Sequence, residues 1–327
     1  MPATTPESRI LTSAEQSSLT HGEFWIPEKE REVYKLALET LNRAGIPYVV
    51  SGLYAIHVYT GVYRETKDLD LLMEPGVVVE AATVLKEAGF EVKLEDAHWL
   101  AKALKGAQVD LIYGMANGLG FIDRAWFEHA RPAILAGTPV RVSPPEELIW
   151  HRLFIGERHR FDMADVVHLI LHRGQELKWE RLLTRVGADW RLLLSQLHFF
   201  DYVYPEHRDR IPAGVRVELQ QRVARSLDGL DDPAAEARGA DRERRARLAE
   251  HGIELPVPET RSDVASTGAP GREADEPPLC RGTLLSLFSF AIDVNDWGFQ
   301  DERLQHVAEL KATEVVEAIR QAEVWNG

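Results

Sequence analysis

The sequence is poor in cysteine and has no long apolar run. Its 327 residues contain a single cysteine, Cys280. This excludes an internal disulfide and, without a Cys-x-x-Cys or Cys/His cluster of suitable spacing, makes a structural zinc site improbable. No run of about eighteen apolar residues is present, and the first residues lack the basic start and apolar stretch of a secretory signal. These absences predict a soluble, cytoplasmic protein.

Positive charge is also scarce relative to negative charge. The formal net charge is −14 at pH 7, whereas proteins that bind nucleic acid need clustered lysines and arginines for their phosphate contacts. We therefore expect neither an extended nucleic-acid-binding surface nor a membrane partner.

Aromatic residues are missing from a long stretch towards the end of the chain. None occurs between Pro205 and Leu287, and residues 227–279 are rich in charged residues, alanine, glycine and proline. Such a segment cannot bury enough apolar area to offset its chain entropy, so we expect 227–279 to be a flexible linker. Apolar content returns in residues 280–327, which we expect to be a helical segment that docks on the folded body and ends in one amphipathic helix.

The rest of the chain divides into regions by its periodicity. Residues 1–26 lack apolar periodicity and are expected to be a flexible N-terminal tail. Residues 27–143 alternate between helical and strand patterns, which predicts a small mixed β-sheet backed by helices. Residues 144–226 contain helix-like segments that end at glycines and predict a helical domain. The predicted fold class is α+β.

Two acidic residues occupy alternate positions of one predicted strand. If residues 68–72 form a strand, Asp68 and Asp70 lie on one face, about 6.6 Å apart along the chain, while the leucines between and after them enter the core. Like charges at this spacing are costly unless a cation lies between them, and Mg²⁺ prefers such oxygen ligands. The alternative is a pair at the edge of a strand that is simply exposed to water.

A third carboxylate, Asp110, lies within the apolar run 108–112. It would join the pair if its strand is a neighbour with the same face turned to the pocket. Three carboxylates could hold two metal ions, one at the attacking hydroxyl and one at the triphosphate, with Asp110 as the general base or as the carboxylate nearest that hydroxyl. A buried acid paired with an arginine would give the same sequence pattern.

Residues around this strand have the chemistry to bind phosphate. Ser51 and Gly52 lie where a predicted strand passes into a helix, so their N–H groups could meet a phosphate at the positive helix end. Ser51 could equally cap the helix. Arg64, Thr66 and Lys67 lie just before the carboxylate strand, and the guanidinium fork of Arg64 matches phosphate oxygens best.

Two other polar pairs have simpler interpretations. Asp162 and Asp165 fit the start of a helix, as a cap and a first-turn acid. His168 and His172 are four residues apart and could share a metal, but no third ligand has suitable spacing. We interpret them as helix-face histidines.

The Ser-Gly pair, the short helix after it, and the pattern Arg-x-Thr-x-Asp-x-Asp at residues 64–70 with a later strand aspartate resemble the nucleotidyltransferase superfamily of the polymerase-beta type. Its usual signature is Gly-Gly or Gly-Ser. Segments 145–149 and 160–166 also resemble the helical region of its abortive-infection branch. The resemblance covers about residues 30–175. The superfamily includes antibiotic adenylyltransferases and the toxin nucleotidyltransferases of bacterial abortive-infection and toxin–antitoxin systems.

The resemblance implies magnesium-dependent transfer of a nucleoside monophosphate from a nucleoside triphosphate, with ATP as the expected donor, and release of pyrophosphate. A small molecule, a protein and tRNA all stay open as the acceptor. The abortive-infection branch commonly has a lysine in the first helix after the sheet, and Arg152 is its equivalent here, which implies a phosphate contact. The alternatives are a non-catalytic nucleotide-binding or antitoxin-like protein of the same fold, or transfer of the γ-phosphate with release of ADP.

Overall fold

The computed structural model of the chain describes residues 25–157, 162–250, 252–255 and 277–326. In this part of the chain, no helix combines the length and apolar character that a membrane span requires. Most of the predicted N-terminal tail lies outside the described residues. At its end, Ile26 is buried.

A seven-stranded mixed sheet forms the centre of the first region and confirms the predicted α+β class. Its strands are β1 (Val49–Val50), β2 (Asp68–Leu72), β3 (Glu91–Asp96), β4 (Leu100–Leu104), β5 (Gln108–Ile112), β6 (Arg131–Leu135) and β7 (Thr138–Val142). Their order across the sheet is β3-β4-β5-β2-β1-β7-β6. Strand β2 pairs in parallel with β5, and β1 in parallel with β7, while the other neighbours are antiparallel.

Four helices belong to the sheet region: α1 (Glu28–Ala44), α2 (Gly52–Thr60), α3 (Val78–Glu87) and α4 (Ala125–Glu128). Helix α1 buries one face, on which Tyr34, Leu38 and Leu41 are fully covered. It ends at Gly45, whose φ of 71° is the left-handed conformation that glycine adopts without steric cost. The apolar periodicity of the helix and the glycine that follows it thus account for the extent of α1.

The second region is helical, as predicted. It contains α5 (Pro145–Arg152), α6 (Met163–Arg173), α7 (Trp179–Val186), α8 (Trp190–Val203) and α9 (Ala213–Leu227). Helix α5 is buried almost all round, and it includes the buried acids Glu146 and Glu147. They are tolerated because Arg181 of α7 pairs with both and Arg185 pairs with Glu147.

The expectation of a structureless linker is wrong for part of its length. Residues Pro233–Glu250 form helix α10, whose Arg244 is only 1% exposed. Alanine, arginine and glutamate favour helix strongly, and this helix is attached by ion pairs together with the buried side chain of Leu248. Residues 251 and 256–276 lie outside the described part of the chain.

The C-terminal segment contains β8 (Leu279–Cys280), α11 (Ala291–Asn295), β9 (Gln300–Asp301), α12 (Glu302–Lys311) and α13 (Glu314–Gln321). The expected single amphipathic helix is therefore two helices, because Thr313 is extended (φ −76°, ψ 148°) and starts α13. This segment contacts the sheet region: Lys311 pairs with Asp96 at 3.1 Å, and Lys86 donates a hydrogen bond to the backbone oxygen of Val324 at 2.7 Å.

Candidate active site

Strands β2 and β5 lie side by side and carry three aspartates on one face. Asp70 lies opposite Asp110 in the parallel register. One carboxylate oxygen from each of Asp68, Asp70 and Asp110 lies within 4.8 Å of the other two. Leu69 and Leu71 are fully buried on the other face of β2. The structure therefore brings together the three acids that the strand pattern predicts, and their role as metal ligands stays a prediction.

Asp110 is the most buried of the three acids, with 8% of its surface exposed. Burial raises its pKa to about 6, the hydrogen bond from Gln108 lowers it, and the charge of Asp68 raises it. That hydrogen bond runs from Nε2 of Gln108 to Oδ1 of Asp110 at 2.8 Å. Among the described residues no arginine forms an ion pair with Asp110, so the alternative of a buried Asp–Arg pair is not what the structure shows. Lys102 lies opposite Asp110 in β4, and its positive charge lowers the pKa of Asp110.

Thr66 fixes the orientation of Asp68. The Thr66 hydroxyl donates a hydrogen bond to Oδ1 of Asp68 at 2.8 Å. The hydroxyl oxygen of Thr66 also lies 3.2 Å from the backbone oxygen of Asp68. This contact holds the carboxylate at the start of β2, just before the strand enters the core. Thr66 thus acts on a carboxylate in this structure, and its predicted phosphate contact stays a prediction, as does that of the exposed Lys67.

Gly52 lies against Asp70 at the start of α2. Its φ is +60°, and a Cβ added there would lie 1.8 Å from Oδ2 of Asp70. Ser51 is buried, and its N–H donates to the backbone oxygen of Asp70 at 2.9 Å. Its side chain makes no capping hydrogen bond to α2. A carboxylate of the cluster thus lies against Gly52, and the phosphate contact predicted for Ser51 and Gly52 stays a prediction.

Arg64 and Arg152 are both engaged by Asp165 of α6. Arg64 forms an ion pair with Oδ1 of Asp165, and Nε of Arg152 lies 2.9 Å from its Oδ2. Arg152 also lies 3.6 Å from Asp162. The side chains of Arg152 and Asp165 are only 3% and 2% exposed. These ion pairs do not support the phosphate contacts predicted for Arg64 and Arg152, which stay predictions.

This ion cluster is what the sequence analysis missed. Asp162 stands at the N-cap position of α6 but makes no capping hydrogen bond, and Asp165 links the loop before β2 to the helical region. The sequence signal for this cluster is an arginine at the end of α5 together with an acid in the first turn of α6. Within the described residues the three aspartates form the sole group of three or more possible metal ligands. The interpretation of His168 and His172 as helix-face histidines stays a prediction.

Comparison with known proteins gives the family. The profile of a family described as uncharacterised nucleotidyltransferases matches residues 35–203, which is 169 of the 327 residues and includes the three aspartates. A search of the curated proteins finds no match.

Several solved structures are similar at low identity. The antibiotic-resistance factor ANT(2'')-Ia is 17% identical, over 54% of this chain and 100% of that one, with a TM-score of 0.38. The lincosamide antibiotic adenylyltransferase LnuA is 15% identical, over 44% and 96%, with a TM-score of 0.32. JHP933 from Helicobacter pylori is 14% identical, over 63% and 99%, with a TM-score of 0.33. Since the family profile spans more than half of the sequence, this chain belongs to the family of uncharacterised nucleotidyltransferases and is a transferase.

Proposed function

We propose that the protein transfers a nucleoside monophosphate from a nucleoside triphosphate, with ATP as the expected donor, to an acceptor hydroxyl, using magnesium and releasing pyrophosphate. The observation that carries this proposal is the convergence of Asp68, Asp70 and Asp110 within 4.8 Å in a chain of a nucleotidyltransferase family. A purely structural role would gain nothing from three neighbouring carboxylates, because their mutual repulsion opposes folding.

The donor set fits a divalent cation with a preference for hard oxygen ligands. The raised pKa of Asp110 is the electrostatic sign of buried negative charge that a cation would neutralise. Asp68, Asp70 and Asp110 would hold the ion or ions, and Thr66 would keep the Asp68 carboxylate in place. Bound magnesium would supply charge stabilisation for the triphosphate and for the attacking oxygen.

The chemical step exchanges one phosphorus–oxygen bond for another. The acceptor oxygen forms a bond to the α-phosphorus while the bond from that phosphorus to the oxygen bridging the α- and β-phosphates breaks. Pyrophosphate leaves with the electron pair of the broken bond, and the proton of the acceptor hydroxyl passes to Asp110. Asp110 is suited to this role because its carboxylate belongs to the cluster at which the acceptor hydroxyl would be held.

Charge favours some acceptors over others. The net charge of −14 attracts cations at long range and repels nucleic acid. A cationic small molecule or a protein therefore suits the protein better than RNA, while transfer to tRNA, the toxin-like activity, is an outcome that the experiment distinguishes.

The proposal is tested by incubating the full chain with each α-labelled nucleoside triphosphate and magnesium, together with cationic polyols, protein or tRNA as acceptors. We expect release of pyrophosphate and transfer of label to one acceptor class. The Asp70→Asn variant should lose this activity by at least a hundredfold, because it removes a metal ligand without a change in volume. Asp228→Asn, the same change at an exposed position after α9, is the matched control and should retain it.

Other outcomes separate the alternatives. Nucleotide binding without pyrophosphate release under any acceptor would favour the non-catalytic protein of the same fold. Release of ADP in place of pyrophosphate would indicate transfer of the γ-phosphate. Full activity in Asp70→Asn would refute the assignment of the carboxylate cluster.

A further inference from the structure

A second cavity lies apart from the three aspartates, where α10 covers the sheet region. It has a volume of about 370 Å³, within the range of small-molecule sites. The turn after β2, at Glu74 to Val77, forms part of its lining, whereas Asp68, Asp70 and Asp110 do not. Four residues of extended chain separate Asp70 from Glu74, which corresponds to about 13 Å. The cavity is therefore a separate place from the proposed transfer site.

Three arginines line this cavity: Arg185, Arg244 and Arg247. Arg185 is neutralised, since it forms ion pairs with Asp123 at 2.6 Å and with Glu147 at 2.7 Å. The other two come from α10, beyond the residues that match the family profile. Two acids, Glu74 and Asp123, also line the cavity, and Asp123 is the ion-pair partner of Arg185. The other positive charges in the lining come from a helix outside the residues that match the family profile.

Arg244 and Arg247 retain unused hydrogen-bonding capacity. Arg244 is only 1% exposed, and its Nη2 contacts Asp241 and Glu309, but its Nη1 is buried without a hydrogen-bond partner among the described residues. No carboxylate in the described part of the chain forms an ion pair with Arg247. Its Nη1 donates a single long hydrogen bond, of 3.4 Å, to the backbone oxygen of Arg185. Buried donors without acceptors are costly in a folded protein.

Trp150 brings two of these positive charges together. The guanidinium carbons of Arg185 and Arg247 lie 4.2 Å and 5.9 Å from the centre of its ring. Burial and the neighbouring charge of Arg185 lower the pKa of Arg247, while the charges of Asp189, Glu243 and Asp123 raise it. None of these carboxylates forms an ion pair with Arg247 in the described part of the chain, so an anion in the cavity would be the acceptor for its unused N–H groups.

The rest of the lining is largely apolar. We call it the apolar wall, and it consists of Leu119, Phe121, Leu248, Ile253 and Val315. Its residues come from the sheet region, α10, the short stretch after α10 and α13, so the wall is assembled only when the C-terminal elements are docked. A ligand that fits both parts must combine a negative group with an apolar body.

We propose that this cavity binds a small organic anion, whose charged group contacts Arg244 and Arg247 and whose apolar part packs against the apolar wall. Neither the position of this cavity nor the class of its ligand depends on the proposed transfer reaction. The ligand chemistry is that of a carboxylate, sulfonate or phosphate attached to an apolar or aromatic skeleton.

The test compares two fluorescent probes that share one ring system. The first, 8-anilinonaphthalene-1-sulfonate, carries the negative charge, and the second, N-phenyl-1-naphthylamine, is neutral. We expect the full chain to bind the sulfonate more tightly, by roughly tenfold, as one charge-assisted hydrogen bond implies. The Arg247→Met variant keeps an unbranched apolar stem but removes the guanidinium, and it should lose this preference. Arg43→Met, the same change at an exposed position of α1, should keep it.

A second variant fills the cavity and does not depend on removal of a buried charge. Gly120 lines the cavity, and a Cβ added there would meet no atom within 4 Å. Gly120→Leu should therefore fold normally, as circular dichroism and the melting temperature would verify, and weaken both probes by at least tenfold. The Asp70→Asn variant should bind both as wild type does, which separates this site from the transfer site.

Three results would overturn the proposal: equal affinity of the wild-type chain for the two probes, an unchanged preference in Arg247→Met, or unchanged binding in Gly120→Leu. If Arg247→Met fails to fold, Gly120→Leu still tests the proposal, because its side chain is added into open space.

Discussion

At Gly52, backbone conformation and the carboxylate cluster impose the same requirement. A Cβ at this position would lie 1.8 Å from Oδ2 of Asp70, and the φ of +60° disfavours any side chain. We expect Gly52→Ala to displace the Asp70 carboxylate and to lower nucleotidyl transfer by at least a hundredfold. Pyrophosphate release at saturating magnesium would measure the loss.

The Gly45→Ala variant separates the effect of a left-handed backbone from the effect of the clash with the Asp70 carboxylate. Gly45 has a similar φ of +71°, but a Cβ there would meet nothing within 4 Å. Both variants should lose about 1–2 kcal/mol of stability from the left-handed backbone, as denaturant unfolding would show. Only Gly52→Ala should lose activity, and equal activity in the two variants would contradict the proposed role of Asp70.

Asp110 illustrates a conflict between stability and function. Burial raises its pKa to about 6, so the ionised form opposes folding at pH 7. Asp110→Asn should stabilise the metal-free protein by roughly 1 kcal/mol after allowance for partial solvation, while pyrophosphate release is lost. Because the folded chain holds this proton more tightly than the unfolded chain, the gain should be present above pH 6 and vanish below the ordinary pKa of 3.8. A lower melting temperature of Asp110→Asn at pH 7 without magnesium would contradict this account.

At the scale of elements, periodicity predicts β2 and β5 well because each buries one face completely. The alternation of Asp68 and Asp70 with Leu69 and Leu71 determines which side chains share a face, and the apolar run around Asp110 indicates a buried strand. The contact between the strands is not local in sequence. Their parallel pairing depends on the order of strands in the sheet, which single-strand patterns do not contain.

The ion pairs of α5 and α6 could not be predicted from the sequence for the same reason. Arg152 and Asp165 lie in different helices, and Arg64 meets Asp165 across 101 residues of sequence. Charged residues at helix ends usually indicate caps or exposed contacts. The sequence pattern of a phosphate-binding arginine and that of a buried structural one are alike, and the fold alone distinguishes them.

The Arg152–Asp165 pair yields a prediction at this scale. Asp165→Asn leaves the guanidinium of Arg152 buried, with Asp162 at 3.6 Å as its one remaining ionic partner among the described residues, and loss of a buried ionic partner costs about 3–5 kcal/mol. Denaturant unfolding should show a loss of this order. Glu128→Gln, which breaks the exposed pair with Arg124, is the control and should change stability by less than about 0.5 kcal/mol.

Arg152→Lys tests the phosphate contact directly. Lysine retains the charge but not the planar fork, so a structural role predicts a lower melting temperature with an unchanged KM for the nucleoside triphosphate. An increase in KM of tenfold or more at an unchanged melting temperature would restore Arg152 as a phosphate contact.

At the scale of the whole molecule, ion pairs attach α10 to the C-terminal segment. Arg244 and Arg245 of α10 both contact Asp241 within the helix and Glu309 of α12. His306 of α12 lies 3.4 Å from Asp241. A composition poor in aromatic residues suggested a linker because apolar burial is the usual source of stability. Here charged side chains replace it, and composition does not reveal which charges meet.

This attachment should weaken in acid. Burial raises the pKa of Asp241, but hydrogen bonds from His306 and Arg244 outweigh it and hold the pKa well below its usual range. A depressed pKa contributes its full stability above the unfolded value of 3.8, and that contribution is lost gradually as the pH falls from there through the lower pKa of the folded chain. Asp241→Asn should therefore cost about 1–2 kcal/mol at pH 7, and this cost should begin to shrink only below about pH 4. Melting temperatures from pH 7 down to about pH 2 should show a constant difference above about pH 4 and a narrowing difference below it, whereas Asp228→Asn should follow wild type throughout. A constant difference between wild type and Asp241→Asn over this range would mean that the carboxylate does not hold α10 by its charge.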